Sequence, residues 1–144
     1  MKNRTLMIGG VAVLVGFVSG WLARPVSGDK ADQSAVVYEL RTYTTHEGRL
    51  PNLHKRFHDH TMKIFEKHGM KNVIYTTPTD KKLKDNTLVY LIAHKSQKAA
   101  DASWNAFRKD PDWKKAYAAS IADGKIVKKV VRQYLKPTDY SPMK

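Results

Sequence analysis

The chain contains no cysteine. Disulfides, thiolate nucleophiles and cysteine-ligated metals are therefore excluded. Acidic residues are scarce: 13 Asp and Glu stand against 26 Lys and Arg, a formal net charge of +13. Four of the basic and two of the acidic residues fall in the first 35 positions, so the remainder keeps 22 and 11 and is itself +11. Such a surface attracts anionic lipid headgroups, nucleic acid, acidic proteins or anionic small molecules. No G-x-G-x-x-G, Walker loop, G-x-S-x-G or EF-hand pattern is present, and no cofactor is expected. Internal repeats and low-complexity segments are also missing. The 144 residues suffice for one compact domain and a tail.

What is present begins with a leader. Lys2 and Arg4 precede an apolar run from Leu6 to Ala23, closed by Arg24 and Pro25. At 1.5 Å per residue that run reaches about 27 Å as a helix, near the thickness of a bilayer's hydrocarbon core. Gly9, Gly10, Gly16 and Gly20, with no polar face, argue against a soluble core helix. Residues 1–25 read equally as a cleaved signal peptide or an uncleaved anchor. Either would place the domain outside the cytoplasm, secreted or held at a membrane facing the periplasm or cell exterior. Residues 26–35 are small and polar and read as a linker. The domain is expected over 36–142.

Within it, Val36–Thr44 alternates and is rich in β-branched and aromatic residues, predicting a first strand. Leu50, Leu53, Phe57, Ile64 and Phe65 recur at helical spacing over roughly 49–68, ending at Gly69. Met70–Thr77 predicts a second strand, and 78–86 a charged hairpin loop. Thr87–Ala93 is almost continuously apolar, which suits a central strand. Ser96 caps a second helix, Asp110-Pro111 interrupts it, and Asp112–Ala122 resumes it. Lys125–Leu135 predicts a fourth strand, followed by a polar tail. The order β-α-β-β-α-β predicts an α+β, ferredoxin-like fold: a four-stranded antiparallel sheet with helices on one face.

Several short motifs occur together: Tyr38–Tyr43 (YELRTY), Gly48, Glu66–Gly69 (EKHG), Asp110-Pro111 with Trp113, and the stretch from Arg132 through Pro137 to Pro142. In this order they resemble the NIPSNAP family over roughly Val36 to Pro142. The resemblance implies a homodimeric α+β barrel in which the open faces of two sheets pack together and enclose a pocket. It also implies a family mostly of unsettled activity, with some superfamily relatives acting as small monooxygenases or haem-degrading enzymes. Two readings follow: a small binding domain, or a cofactor-free or haem-associated monooxygenase-like enzyme. The hydrophobic leader differs from the Arg- and Ser-rich presequence of organellar members, so their mitochondrial roles are not carried over.

A bare sheet face also favours a dimer. Placing Tyr38 and Leu40 toward the helices puts Val37, Glu39, Arg41 and Tyr43 on that bare face. The expected ligand pocket comprises Glu39, Arg41 and Tyr43 with Arg132 and Tyr134 of strand four. A structural ion pair between Glu39 and Arg41 is the stronger alternative to a ligand or proton-shuttle role. His54 and His58 have i, i+4 metal-ligand spacing but lack an H-E-x-x-H frame, and a solvated histidine-rich face is the better reading; no metal is expected. His46, His68 and His94 are explained by turn, helix-end and strand-end positions. Trp104, Phe107, Trp113 and Tyr117 are expected in the core. The lysine runs at 81–84, 114–115 and 128–129 are scattered and arginine-poor. They read first as a plain solubilising surface, and beside a membrane segment they suit anionic lipid better than nucleic acid; a small organic ligand is the other expected partner. Residues 6–23 would meet the membrane if uncleaved.

Overall fold

The structure is a computed structural model and describes residues 36–143. The expected leader and linker lie outside the described residues. Among those residues no helix is long and apolar enough to cross a membrane.

The chain forms β1 (Val37–Thr45), then one continuous helix in three parts: α1 (Leu50–Arg56), a π-helical segment (Phe57–Thr61) and α2 (Met62–Lys67). β2 (Lys71–Thr76) and β3 (Thr87–His94) follow, then α3 (Gln97–Lys109), α4 (Pro111–Ser120) and β4 (Val127–Leu135). All strand pairs are antiparallel, in the order β2-β3-β1-β4. The predicted fold class is therefore the observed one, and β3 is internal as its apolar run requires.

Local chemistry sets each boundary. Pro51 sits in the first turn of α1, where a missing N–H costs nothing. At the end of α2, Gly69 takes φ +76°, and Met70 N–H reaches Phe65 O while Gly69 N–H reaches Glu66 O. This paired closure needs a left-handed residue, which glycine supplies without strain. Ser96 caps α3 by accepting from the Ala99 N–H. Asp110 ends α3 and caps α4, accepting from the N–H groups of Asp112 and Trp113, with Pro111 in the first turn.

Asp110 also ties the two helical layers together. Its carboxylate lies 2.9 Å from Lys67 Nζ and 2.7 Å from His68 Nε2. The hydrogen bond from Lys67 outweighs burial and, with His68 and two backbone N–H groups, holds the Asp110 carboxyl well below its usual range. Replacing Asp110 with alanine is expected to lower Tm by roughly 5–10 °C, from the lost cap and the orphaned His68. A thermal melt unchanged by Asp110→Ala would show that this junction is redundant.

The core lies between the helices and one sheet face. Leu53, Phe57 and Phe65 of the first helix, and Trp104 and Phe107 of α3, pack on Leu88, Tyr90 and Ile92 of β3. In register, Leu88, Tyr90 and Ile92 stand opposite Tyr43, Arg41 and Glu39 of β1. Opposed residues share a sheet face. The helix-facing side of β1 is therefore Glu39, Arg41 and Tyr43, not Tyr38 and Leu40 as the sequence suggested. The reason is partnership: α3 and β3 supply Trp104 and His94, which let a charged residue be buried, whereas Tyr38 and Leu40 need no partner. The opposite face carries Tyr38, Leu40, Leu91, Ile74, Val131 and Leu135, the last three between 41% and 53% exposed. On the helix side, β4 is poorly covered: Val130 and Arg132 are exposed and Tyr134 is half-buried.

Candidate functional site

Two arrangements stand out on the helix-facing side of β1. The first is a buried charged network centred on Glu39, which is fully buried. Trp104 Nε1 donates to Glu39 Oε2 at 2.6 Å, His94 Nε2 shares that oxygen at 2.9 Å, and Arg41 donates to Oε1 at 3.1 Å. Arg41 in turn lies 4.3 Å from the Trp104 ring and 5.4 Å from the Tyr43 ring. Burial alone would push the Glu39 carboxyl up. Hydrogen bonds from His94 and Trp104, together with the Arg41 charge, hold it below its usual value of 4.5 instead. Both carboxylate oxygens are occupied, so this group is built to anchor Trp104 and Arg41. The His94 Nδ1 and Arg41 Nε atoms are buried without a partner.

The second arrangement is a cavity of about 340 Å³ between the sheet and the helices, beside β4. Tyr43, Phe57, Trp104, Trp113 and Tyr117 supply its aromatic surface. The rings meet edge-on or tilted, as in Tyr43 to Phe57 at 6.0 Å and Trp113 to Tyr117 at 5.5 Å. Charge enters the lining from Arg56, Lys128 and Lys129 alone, and no carboxylate or histidine contributes among the described residues. The π-helical segment borders it through Phe57 and Thr61: the Met62 N–H reaches back to Phe57 O, and the Thr61 hydroxyl takes Arg56 O at 3.2 Å. Such widened turns recur at functional sites.

The residues singled out from sequence divide between these arrangements. Glu39 and Arg41 belong to the buried network, and Tyr43 lines the cavity. Arg132 pairs opposite Arg41, and Tyr134 opposite Glu39, so all five share the helix-facing side. Arg132 stacks on the Tyr134 ring at 5.1 Å, further along β4. Of the aromatic set, Trp104 and Phe107 are buried, Trp113 is half-buried, and Tyr117 is 45% exposed at the cavity and not in the core. His54, His58 and His60 are exposed, and His58 pairs with Asp59.

Three contributors were missed by sequence reasoning. His94 was assigned to a strand end, yet it continues the alternation Leu88, Tyr90, Ile92 into the core. Trp104 was assigned to packing only. Arg56 carries a sequence signal of its own: it lies three residues after Leu53 and one before Phe57 on the apolar stripe, an unusual position for a cation.

Strand order and helix placement define a ferredoxin-like α+β domain, an architecture that by itself fixes no function. The family model for NIPSNAP matches residues 38–142, and the chain belongs to the NIPSNAP family. Among solved structures it is similar to a NIPSNAP family protein of unknown function from Agrobacterium tumefaciens, at 23% identity and TM-score 0.66, covering 77% of this chain and 96% of that one. A NIPSNAP-like domain protein from Burkholderia xenovorans matches at 15% identity and TM-score 0.65, covering 76% and 90%. More distantly, SnoaB, a cofactor-independent oxygenase from Streptomyces nogalater solved as a variant, matches at 16% identity and TM-score 0.51, covering 75% and 98%. At these identities the likeness is one of fold. No curated protein matches the sequence.

Proposed function

We propose that the protein is a homodimeric binding domain, carried out of the cytoplasm or tethered at a membrane by its N-terminal segment, that holds a small organic molecule in the cavity beside β4. The observation that carries this reading is the aromatic cavity of about 340 Å³, which lies in the size range of small-molecule sites. Two features support it. The Glu39 network fixes Trp104 and Arg41 behind the cavity, so part of its wall is preorganised. The opposite sheet face carries an apolar surface suited to a second copy.

The lining supports binding more directly than proton transfer. Its polar groups are hydroxyls, such as those of Tyr43 and Thr61, and cations, none of them a ready general base at neutral pH. Purification of the full chain in detergent, followed by native mass spectrometry, is expected to show a dimer retaining a small organic molecule. Filling the cavity by Val130→Trp should abolish that retention while leaving the melt within a few degrees. Retention unchanged by Val130→Trp would place the ligand elsewhere and remove the basis for this reading.

A further inference from the structure

Among the described residues Arg56 is a buried cation without a counter-ion. Its residue is 4% exposed, and its one side-chain hydrogen bond among the described residues runs from Nη1 to the neutral Ser120 hydroxyl at 3.1 Å. Its Nε is buried without any partner. The nearest charges are spoken for: Asp59 pairs with Lys55 and His58, and Asp123 receives both guanidinium nitrogens of Arg49. What faces Arg56 is aromatic, with the Trp113 ring at 5.4 Å and the Tyr117 ring at 5.3 Å. Two π faces stabilise a guanidinium, but beyond the Ser120 bond they leave its other donors unused.

A buried, unpaired charge is costly, and proteins seldom carry one without a use. Arg56 lines the aromatic cavity, and it also lines a second cavity of about 300 Å³ with Asn52 and Ser120. It therefore borders two spaces, and the carboxylates Asp59 and Asp123 line only the second, which leaves the aromatic cavity as the one where an anion would meet no like charge. The remaining charges at the aromatic cavity, Lys128 and Lys129, are of the same sign. Burial pushes the Arg56 guanidinium down from its usual value; arginine keeps its proton in proteins near neutrality.

We infer that the cavity is a site for an aromatic or apolar monoanion, whose carboxylate or equivalent acid group is received by Arg56 while its ring system lies among Tyr43, Trp113 and Tyr117. This rests on the cavity being the ligand site, and it adds the ligand's chemical class. A carboxylate matches the planar fork of a guanidinium, and a charge-assisted bond is among the stronger polar contacts. The same geometry discriminates against neutral analogues, because they leave Arg56 buried and unpaired.

Two fluorescent probes that differ by one acid group test this on the full chain in detergent at 0.15 M salt. They are 1-anilinonaphthalene-8-sulfonate and its uncharged counterpart N-phenyl-1-naphthylamine. The anion is expected to bind at one site per chain and about 10–100-fold more tightly than the neutral probe. Arg56→Gln should remove most of that difference while changing the neutral probe little, and Lys128→Gln with Lys129→Gln should keep most of it. On the unaltered protein, naphthalene-2-carboxylate should displace the anionic probe at a concentration at least tenfold below that required by 2-naphthamide. That arm holds even if Arg56→Gln fails to fold. Equal binding of charged and neutral probes, or loss of the preference with the lysines and not with Arg56, overturns the inference and leaves the cavity as a ligand site. Failure of both probes to bind, or binding unaffected by Val130→Trp, overturns the cavity reading itself, and the inference with it.

Discussion

Glu39→Ala is expected to cost roughly 3–5 kcal/mol, enough to unfold much of the population at physiological temperature. The carboxylate is fully buried and receives donors from Trp104, His94 and Arg41 at once. Removing it leaves a buried guanidinium, an indole N–H and an imidazole facing a small void. Glu39→Gln keeps the shape and one good acceptor, so it should cost less, and the gap between the two variants measures what the charge contributes. Chemical denaturation read by tryptophan fluorescence separates them. A loss below about 1 kcal/mol for Glu39→Ala would show that the network tolerates water in place of the carboxylate.

The same network sets an acid limit. The folded-state carboxyl of Glu39 titrates below its usual value of 4.5, so the unfolded chain takes up the proton first. Its stabilisation is complete above about pH 5 and is lost as pH falls through the usual value toward the lowered one. Wild-type stability should therefore decline over that interval more steeply than that of Glu39→Gln. Parallel pH profiles for the two proteins would assign the acid sensitivity to other carboxylates, Asp110 foremost.

The second large effect is expected on the open sheet face. Leu91 is at its centre, opposite Leu40 on one side and Ile74 on the other. In a two-fold dimer built on this face a single substitution enters the interface twice. Leu91→Lys buries two unpaired ammonium groups, or forces the sheets apart, and should weaken association by roughly 1,000-fold, about 4 kcal/mol. Light scattering across a dilution series reads this directly. A wild-type protein that is monomeric at tens of micromolar would remove the dimer from the proposed function. A dimer unaffected by Leu91→Lys would move the interface to another surface.

Much of the architecture was legible in the sequence because it depends on local signals. Helical spacing from Leu50 to Phe65, the Gly69 stop, the Ser96 cap and the Asp110-Pro111 break each act within a few residues. The motifs that carry the family resemblance are also local, and the structure gives several of them a mechanical role: Lys67 and His68 clasp Asp110, Gly69 closes α2, and Glu39 and Arg41 belong to the buried network. The face of β1 was not legible. Its two sides differ little in apolar content, and the deciding partners, His94 and Trp104, lie 55 and 65 residues away. Arg56 was hidden for the opposite reason. Nothing in its neighbours marks it as unpaired, since lacking a partner is a property of the folded surroundings.

The π-helical segment has a meaning for how this helix can change. A π turn accommodates one residue more than the α-helix around it, so the helix Leu50–Lys67 carries an insertion absorbed without breaking. Each residue of an α-helix turns the chain by about 100°. Removing one residue between Phe57 and Thr61 would restore regular winding and keep both ends in phase, whereas removing one from the regular α-helical parts would swing one end through that angle relative to the other. Leu50 and Leu53 precede the wide turn; Ile64 and Phe65 follow it, and all four belong to one buried core. The wide turn acts as a phase adjuster: it takes up the surplus residue locally, so both half-helices face one core, and it is the one place where this helix can lose a residue without turning either half away.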